Sequence, residues 1–426
     1  MRSPPVAITT SRLDLPTTSF QIAAAPQRVG ERNLNRNGRG RQFFFNPGPT
    51  NIPDRVLRAM DRATLDFLSE EFLEIHSACH EGLKRVLKTR QHLFVYAATG
   101  HGAWEAGLVN LFSPGERLLI LESGYFSEDW ALMARRLGLD VEVLKADWRV
   151  GVAPADLEQR LVADKGHAIR AVLVVHNETA TGLANPVAEF RHAIDRAGHP
   201  ALYLVDTISS LGCFDFRMDE WGVDVAVGGS QKGLMIPTGL SFSGVSEKAL
   251  AASRTAKLPR HYWDWEMMQA RAPQRFCGTT PVHLFFGLAE SLRMIEEEGL
   301  DAIFRRHARL ARATREAARV WHANGSGPEL FCRAPQRLSD SVTALIMPEG
   351  HDAETFRRTA INRFNLSLGG GLGPLLGRVF RIGHMGELNE PMLLGALATV
   401  ELALKESNVP HGPGGVEAAI AALANR

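Results

Sequence analysis

The sequence predicts an α/β protein: a larger domain built on a mainly parallel sheet, followed by a smaller α+β domain at the C-terminal end. Three observations carry that prediction. Short apolar runs recur between about residues 92 and 245, several of them apolar for four or five residues without alternation, as strands covered on both faces require. Helical patterns separate these runs, and strand–helix alternation points to parallel pairing. Beyond Pro281 the pattern turns helical and then mixes strand with helix.

Each element follows in chain order. Residues 1–42 hold Pro4, Pro5, Pro16 and Pro26, the stretch Thr9-Thr10-Ser11, and seven arginines against Asp14 and Glu31. They read as a disordered extension, with an early start codon or an Arg-rich transit peptide as the other readings. Ordered sequence begins at Phe43-Phe44-Phe45 and meets the turn signal Asn46-Pro47-Gly48-Pro49. The expected strands are His92–Tyr96, Arg117–Leu121, Asp140–Leu144, Ala171–Val175, Ala201–Val205, Val223–Val227 and Leu240–Gly244. The expected helices between them include Ala103–Phe112, Ser127–Leu137, Pro154–Ala163 and Pro186–Ala197. Val282–Glu298 and the basic stretch Leu300–Ala323 are helical as well. The domains divide into residues 43–300, including the N-terminal segment, and residues 301–426.

Composition narrows the function classes. The 426 residues carry 48 Lys+Arg against 47 Asp+Glu, so a net charge of +1 gives no global attraction to nucleic acid or an anionic membrane. No apolar run approaches the ~18 residues that cross a bilayer. Cys79, Cys213, Cys277 and Cys332 are too scattered for a disulfide framework, and a reducing, cytoplasmic setting is expected.

In an open parallel sheet, ligands bind beyond the carboxyl ends of the strands. After the run ending at Tyr96 comes Ala97-Ala98-Thr99-Gly100-His101-Gly102, then a helix. Small residues there let backbone approach a ligand, and a helix N-terminus favours an anion such as phosphate. No Gly-Lys-Ser/Thr follows, so this is not a Walker loop. Gly100-x-Gly102 with Glu122 partly matches a dinucleotide fingerprint, but Glu105 stands where the third glycine belongs; an NAD(P)-binding Rossmann protein is the rival reading. Two further ends carry unexpected charge: Asp206 closes one buried run, and Lys232 lies between two apolar runs in Gly229-Ser230-Gln231-Lys232-Gly233. Singly, the first reads as a helix cap and the second as a turn residue. Together with an anion cradle on the same edge they fit pyridoxal 5′-phosphate. That cofactor needs a phosphate site, a lysine for its Schiff base, and an acid opposite its pyridinium nitrogen.

With these residues in hand, the chain resembles the class V, fold-type I pyridoxal-phosphate aminotransferases of the serine–glyoxylate and alanine–glyoxylate group. The resemblance rests on Asn46 to Pro53, Thr99-Gly100-His101-Gly102, His176-Asn177-Glu178-Thr179-Ala180-Thr181-Gly182, Asp206 to Gly212, Met218 to Asp224, Gly229 to Gly233, and Phe380-Arg381-Ile382-Gly383-His384. It spans about residues 43 to 405. It implies that Lys232 binds the cofactor covalently, that Asp206 pairs with the ring nitrogen, and that Thr99, Gly100, His101 and Gln231 hold the phosphate. Thr179 would reach the ring's 3′-oxygen, with Phe126 and Ile208 on the two ring faces. Arg381 would clamp the substrate carboxylate, with Gly48 near it. Family members are homodimers with the site at the subunit interface, so Thr279 or Thr280 would reach the partner's phosphate. The implied reaction moves the amino group of a serine-, alanine- or aspartate-type donor to glyoxylate or a similar 2-oxo acid by a ping-pong route.

Three positions depart from the pattern. Phe67-Leu68 replaces a usual His-Arg pair, Phe276 a tyrosine, and Gly278 an aromatic residue present in some members. An apolar wall at 67–68 suits a donor less polar than serine. Pyridoxamine–pyruvate and ureidoglycine–glyoxylate transaminases remain open alternatives. A cysteine desulfurase is disfavoured, since Leu366 to Arg378 contains no cysteine. A carrier of the cofactor without turnover would have no need of Arg381. No metal is expected: His76 and His80 share a helix face at i, i+4 without a third ligand, and read as solvent-facing. The run from Arg305 to Arg319 reads as a solvated helix face.

Overall fold

The computed structural model describes residues 40–425; the expectations for residues 1–39 lie outside the described residues. In chain order, β1 (Phe43–Phe45), α1 (Asp54–Met60) and α2 (Glu70–Leu87) precede the first large-sheet strand, β2 (His92–Tyr96). Then come α3 (Gly100–Leu111), β3 (Arg117–Leu121), α4 (Tyr125–Arg136), β4 (Asp140–Leu144), α5 (Pro154–Ala163) and β5 (Ile169–Val175). The short strands β6 (Asn177–Glu178) and β7 (Leu183–Ala184) form a ladder before α6 (Val187–Arg196), β8 (Leu202–Asp206), β9 (Val225–Gly229) and β10 (Ser241–Val245). Helices α7 (Glu247–Ser253), α8 (Trp265–Ala270), α9 (Val282–Glu298) and α10 (Leu300–Trp321) lead into the second domain. It contains β11 (Glu329–Leu330), β12 (Val342–Ile346), α11 (Ala353–Phe364), β13 (Leu366–Gly370), β14 (Val379–Gly383), α12 (Glu390–Glu406) and α13 (Gly415–Ala424).

The large sheet has seven strands in the order β2-β10-β9-β8-β5-β3-β4. Every pairing is parallel except those of β10, which runs antiparallel to both β9 and β2. The link from Gly229 to Ser241 contains no crossover helix, so the chain can only return alongside β9 in the opposite sense. Central strands β5, β8 and β9 are buried almost throughout, which explains their lack of alternation. Register places Val175 beside Asp206, Asp206 beside Val227, Gly229 beside Ser241, and Ser241 beside Tyr96. The loops after β2, β5, β8 and β9 therefore open on one edge.

Two expectations change, and one segment crosses between the sheets. Phe43–Phe45, grouped with residues 43–300, pairs in parallel with Leu366–Leu368 at the edge of the five-stranded second sheet. The Phe45 ring is buried there among Leu310, Trp321, Phe380 and Leu397, which anchors the chain across the domain division drawn at residue 300. His76 is not solvent-facing; it is buried against the Phe285 ring, and His80 is half-buried beside it. Desolvation holds the His76 imidazole at about 3, well below its usual value. Four of the α10 arginines are engaged by other elements rather than simply solvated. Arg306 meets Glu298 and the Gly386 carbonyl, Arg309 meets Glu390, Arg312 meets the Ala422 carbonyl, and Arg315 meets Asp340. They tie the long helix to α9, to the C-terminal helices and to the second sheet. No helix among the described residues is long and apolar enough to cross a membrane.

Candidate active site

Lys232 lies in the turn after β9, 9% exposed, with Nζ donating to the Pro47 carbonyl at 2.5 Å. The N-terminal segment is pinned over it: Thr50 N donates to the Gln231 carbonyl at 3.1 Å, and Thr50 Oγ1 to the Lys232 carbonyl at 3.1 Å. Gly48, with φ +115°, faces the lysine so closely that a Cβ would overlap the side chain. Burial and the neighbouring Arg381 charge lower the ammonium to about 8, with Asp206 opposing them. The amine is thereby moved toward a neutral, nucleophilic state.

Asp206 terminates β8 at 4% exposure. Its Oδ1 accepts from Ile208 N at 2.6 Å and its Oδ2 from Trp104 Nε1 at 3.0 Å. Desolvation raises this carboxyl to about 6; the Ile208 N–H, the Trp104 indole, His101 and Lys232 all pull it down. Lysine and aspartate thus act on each other across one buried space. Ile208 fills the wall beside them, because a Cβ on Gly100 would strike its Cδ1 and one on Gly229 would lie 3.4 Å from its Cγ2. Gly100 opens α3, whose first N–H groups have no intrahelical partners, and the Thr99 hydroxyl at the N-cap is not spent on capping. The His101 side chain turns away to Asp129 Oδ2 at 3.0 Å and leans on Trp104, so its backbone N–H is the group left for an anion. Gln231 follows in the turn after β9, its side-chain Oε1 buried without a partner among the described residues.

The third charged group comes from the other domain. Arg381 on β14 is 7% exposed and is aimed by two carbonyls: Nε donates to Gly370 O at 2.7 Å and Nη1 to Thr179 O at 3.1 Å. Gly369 and Gly370 keep β13 free of side chains at this point, and a Cβ on Gly369 would press on Pro47 and Arg381. Burial lowers the guanidinium to about 10, which still leaves it charged at neutral pH. The Thr179 hydroxyl donates to Ser209 Oγ at 2.8 Å.

Two site residues were not singled out from sequence. Glu178 is fully buried and accepts from Phe126 N (3.1 Å), Ser127 N (3.2 Å) and Ala180 N (3.1 Å). It caps the N-terminus of α4 and fixes Phe126 relative to the Thr179 loop. A carboxylate at a buried strand end was the available signal, the same one that marked Asp206. Trp104 carries no such signal, because an indole in an apolar helix reads as core. Thr279 is exposed, while Thr280 is buried with its hydroxyl unpartnered among the described residues.

The fingerprint reading fails on the same geometry. Glu122, the proposed ribose acid, is already engaged by Lys145 Nζ at 2.8 Å and Ala146 N at 2.9 Å, and Glu105 accepts from the Trp263 indole. The matching family model is "Aminotransferase class-V", which covers residues 42–320. The chain belongs to the class V aminotransferases. Among curated class V relatives, it is 46% identical over 388 residues to a serine–glyoxylate aminotransferase of Methylorubrum extorquens, covering 89% of this chain and 95% of the relative. It is 45% identical to an L-aspartate–glyoxylate aminotransferase of Paracoccus denitrificans, covering 86% and 92%. The crystal structure of a ureidoglycine–glyoxylate aminotransferase from Bacillus subtilis superposes with a TM-score of 0.83 at 26% identity, covering 91% and 99%. This class V aminotransferase is therefore a transaminase, and its family implies pyridoxal phosphate. The residues fit that group: a buried amine, a buried carboxylate and a glycine-opened helix N-terminus converge on one edge.

Proposed function

We propose that this transaminase moves the amino group of a small L-amino acid, of serine, alanine or aspartate type, to glyoxylate or a similar 2-oxo acid. When bound, pyridoxal phosphate supplies the aldehyde and electron-withdrawing ring that keep the amino group between the two halves of a ping-pong cycle. Lys232 would hold it covalently, and the Thr99–His101 turn with Gln231 would take the phosphate. Asp206 would keep a proton on the ring nitrogen, since its carboxylate is buried and already oriented by two donors. Phe126 and Ile208 would bound the ring faces, and Thr179 its 3′-oxygen. Freed by substrate, Lys232 Nζ would carry the proton to and from the substrate Cα, a task suited to an amine lowered to about 8. Arg381, braced by Gly370 and Thr179, would present its remaining N–H groups to the substrate carboxylate as a fork. We further infer a cytoplasmic homodimer in which Thr279 from one copy completes the phosphate site of the other.

The observation that carries this reading is the buried Lys232, its amine held on Pro47 and acted on by the charges of both buried Asp206 and buried Arg381. The test crosses L-serine, L-alanine, L-aspartate and pyridoxamine with glyoxylate and pyruvate. Glycine formed from glyoxylate with one of the three amino acids is expected. Turnover confined to pyridoxamine with pyruvate, or none with any amino acid, overturns it.

A further inference from the structure

We propose that Trp104 is a positioning residue for the ring-nitrogen acid: its indole N–H holds the Asp206 carboxylate ionised and aimed at the cofactor. The inference rests on the pyridoxal phosphate reading above and deepens it. The indole is 1% exposed, and Nε1 reaches Asp206 Oδ2 at 3.0 Å. The carboxylate's other oxygen is taken by the Ile208 N–H, so its plane is fixed by one backbone and one side-chain donor. The indole is itself immobilised on three sides. It stacks on Trp130 with centroids 5.3 Å apart at 11°, meets the Phe126 ring edge-on at 6.3 Å and 70°, and lies 4.7 Å from the His101 ring. One side chain thus touches the acid, the residue of the phosphate turn and the proposed stacking ring.

The electrostatic setting explains the need for such a donor. Asp206 is faced by His101 from α3, by Lys232 from the turn after β9 and by Glu178 from β6. The first two favour its charge, while Glu178 and burial oppose it. A buried neutral donor stabilises the carboxylate without adding a charge of its own, and indole N–H is donor-only, so it cannot stabilise the protonated form as an acceptor would. Trp130, stacked on Trp104, supplies an internal control, since its own Nε1 is buried without a partner among the described residues.

The experiment measures pyridoxal phosphate affinity of cofactor-stripped protein against pH, by fluorescence titration, for wild type, Trp104→Phe, Trp130→Phe and Asp206→Asn. Ionisations of the cofactor are common to all four, so differences report on the acid. Wild-type affinity is expected to fall as pH drops through about 6. In Trp104→Phe the midpoint should move up by about one pH unit, with affinity at pH 6 about fivefold weaker, the scale of one lost hydrogen bond to a charged group. Trp130→Phe should leave the midpoint in place. An unchanged midpoint in Trp104→Phe, or equal shifts in both tryptophan variants, makes the indole a packing residue and overturns the proposal. Should Trp104→Phe fail to fold, β-(3-benzothienyl)alanine at 104 keeps the shape, places sulfur where the N–H stands, and is read by the same criteria. Failure of the cofactor reading looks different: Asp206→Asn would then match wild type at every pH, and borohydride would fix no cofactor to the Lys232 peptide.

Discussion

Gly48→Ala is the most direct probe of how the N-terminal segment and the lysine share space. The new methyl would overlap Cδ, Cε and Nζ of Lys232, and the backbone there sits at φ +115°. Two effects add. An alanine held in that region of φ is destabilised by about 1–2 kcal/mol. Pushing Lys232 aside breaks the Nζ bond to Pro47 O at 2.5 Å, a charged-donor bond worth about 1.5–3 kcal/mol. A total of about 3–5 kcal/mol, at about 2 °C per kcal/mol, lowers Tm of the cofactor-free protein by about 6–10 °C. Differential scanning fluorimetry reads that drop. Borohydride trapping of pyridoxal phosphate on the Lys232 peptide should fall with it, because the amine no longer occupies its place. A Tm within about 1 °C of wild type, together with undiminished trapping, would show that the segment yields freely and that Gly48 does not shape the lysine's position.

Three other outcomes follow from the same geometry. Lys232→Ala should keep the fold but lose turnover, and should change pH dependence in a defined sense. Because the folded chain depresses this amine to about 8, stability of the cofactor-free wild type rises between about pH 8 and 10.5 and is lost as pH falls through that window, by about 3 kcal/mol. The variant should lack that rise in chemical denaturation, and an identical slope would refute the burial argument. Arg381→Lys keeps a charge but not the fork, so KM for glyoxylate should climb at least about tenfold with a smaller change in kcat; an unchanged KM removes the clamp. Glu178→Ala leaves three N–H groups without their acceptor, and about 2–4 kcal/mol of stability should be lost. Hydrogen exchange at residues 124–128 should quicken, and unaltered protection there would mean that Glu178 does not hold α4.

Local patterning was legible wherever a segment's own residues decide its form. His92–Tyr96, Arg117–Leu121 and Asp140–Leu144 form strands with the expected bounds, and Pro154–Ala163 and Val282–Glu298 form helices with theirs. Apolar residues at strand or helix spacing, mostly buried in the first two strands and half-buried in Asp140–Leu144, fix those elements without reference to distant chain. Asp206 and Lys232 stood out for a related reason: charge at the end of an apolar run is anomalous in the sequence itself. Tertiary structure alone decided what joins what. The antiparallel return of β10, the crossing of Phe43–Phe45 into the second sheet, and the engagement of the α10 arginines all depend on partners far along the chain. The same holds for the site's finer parts. Arg381 is aimed by a carbonyl 202 residues away, and Trp104 bonds an acid 102 residues away. Hydrophobic periodicity records which face of an element is buried; it carries no record of which distant donor meets which acceptor, and the site is made of those meetings.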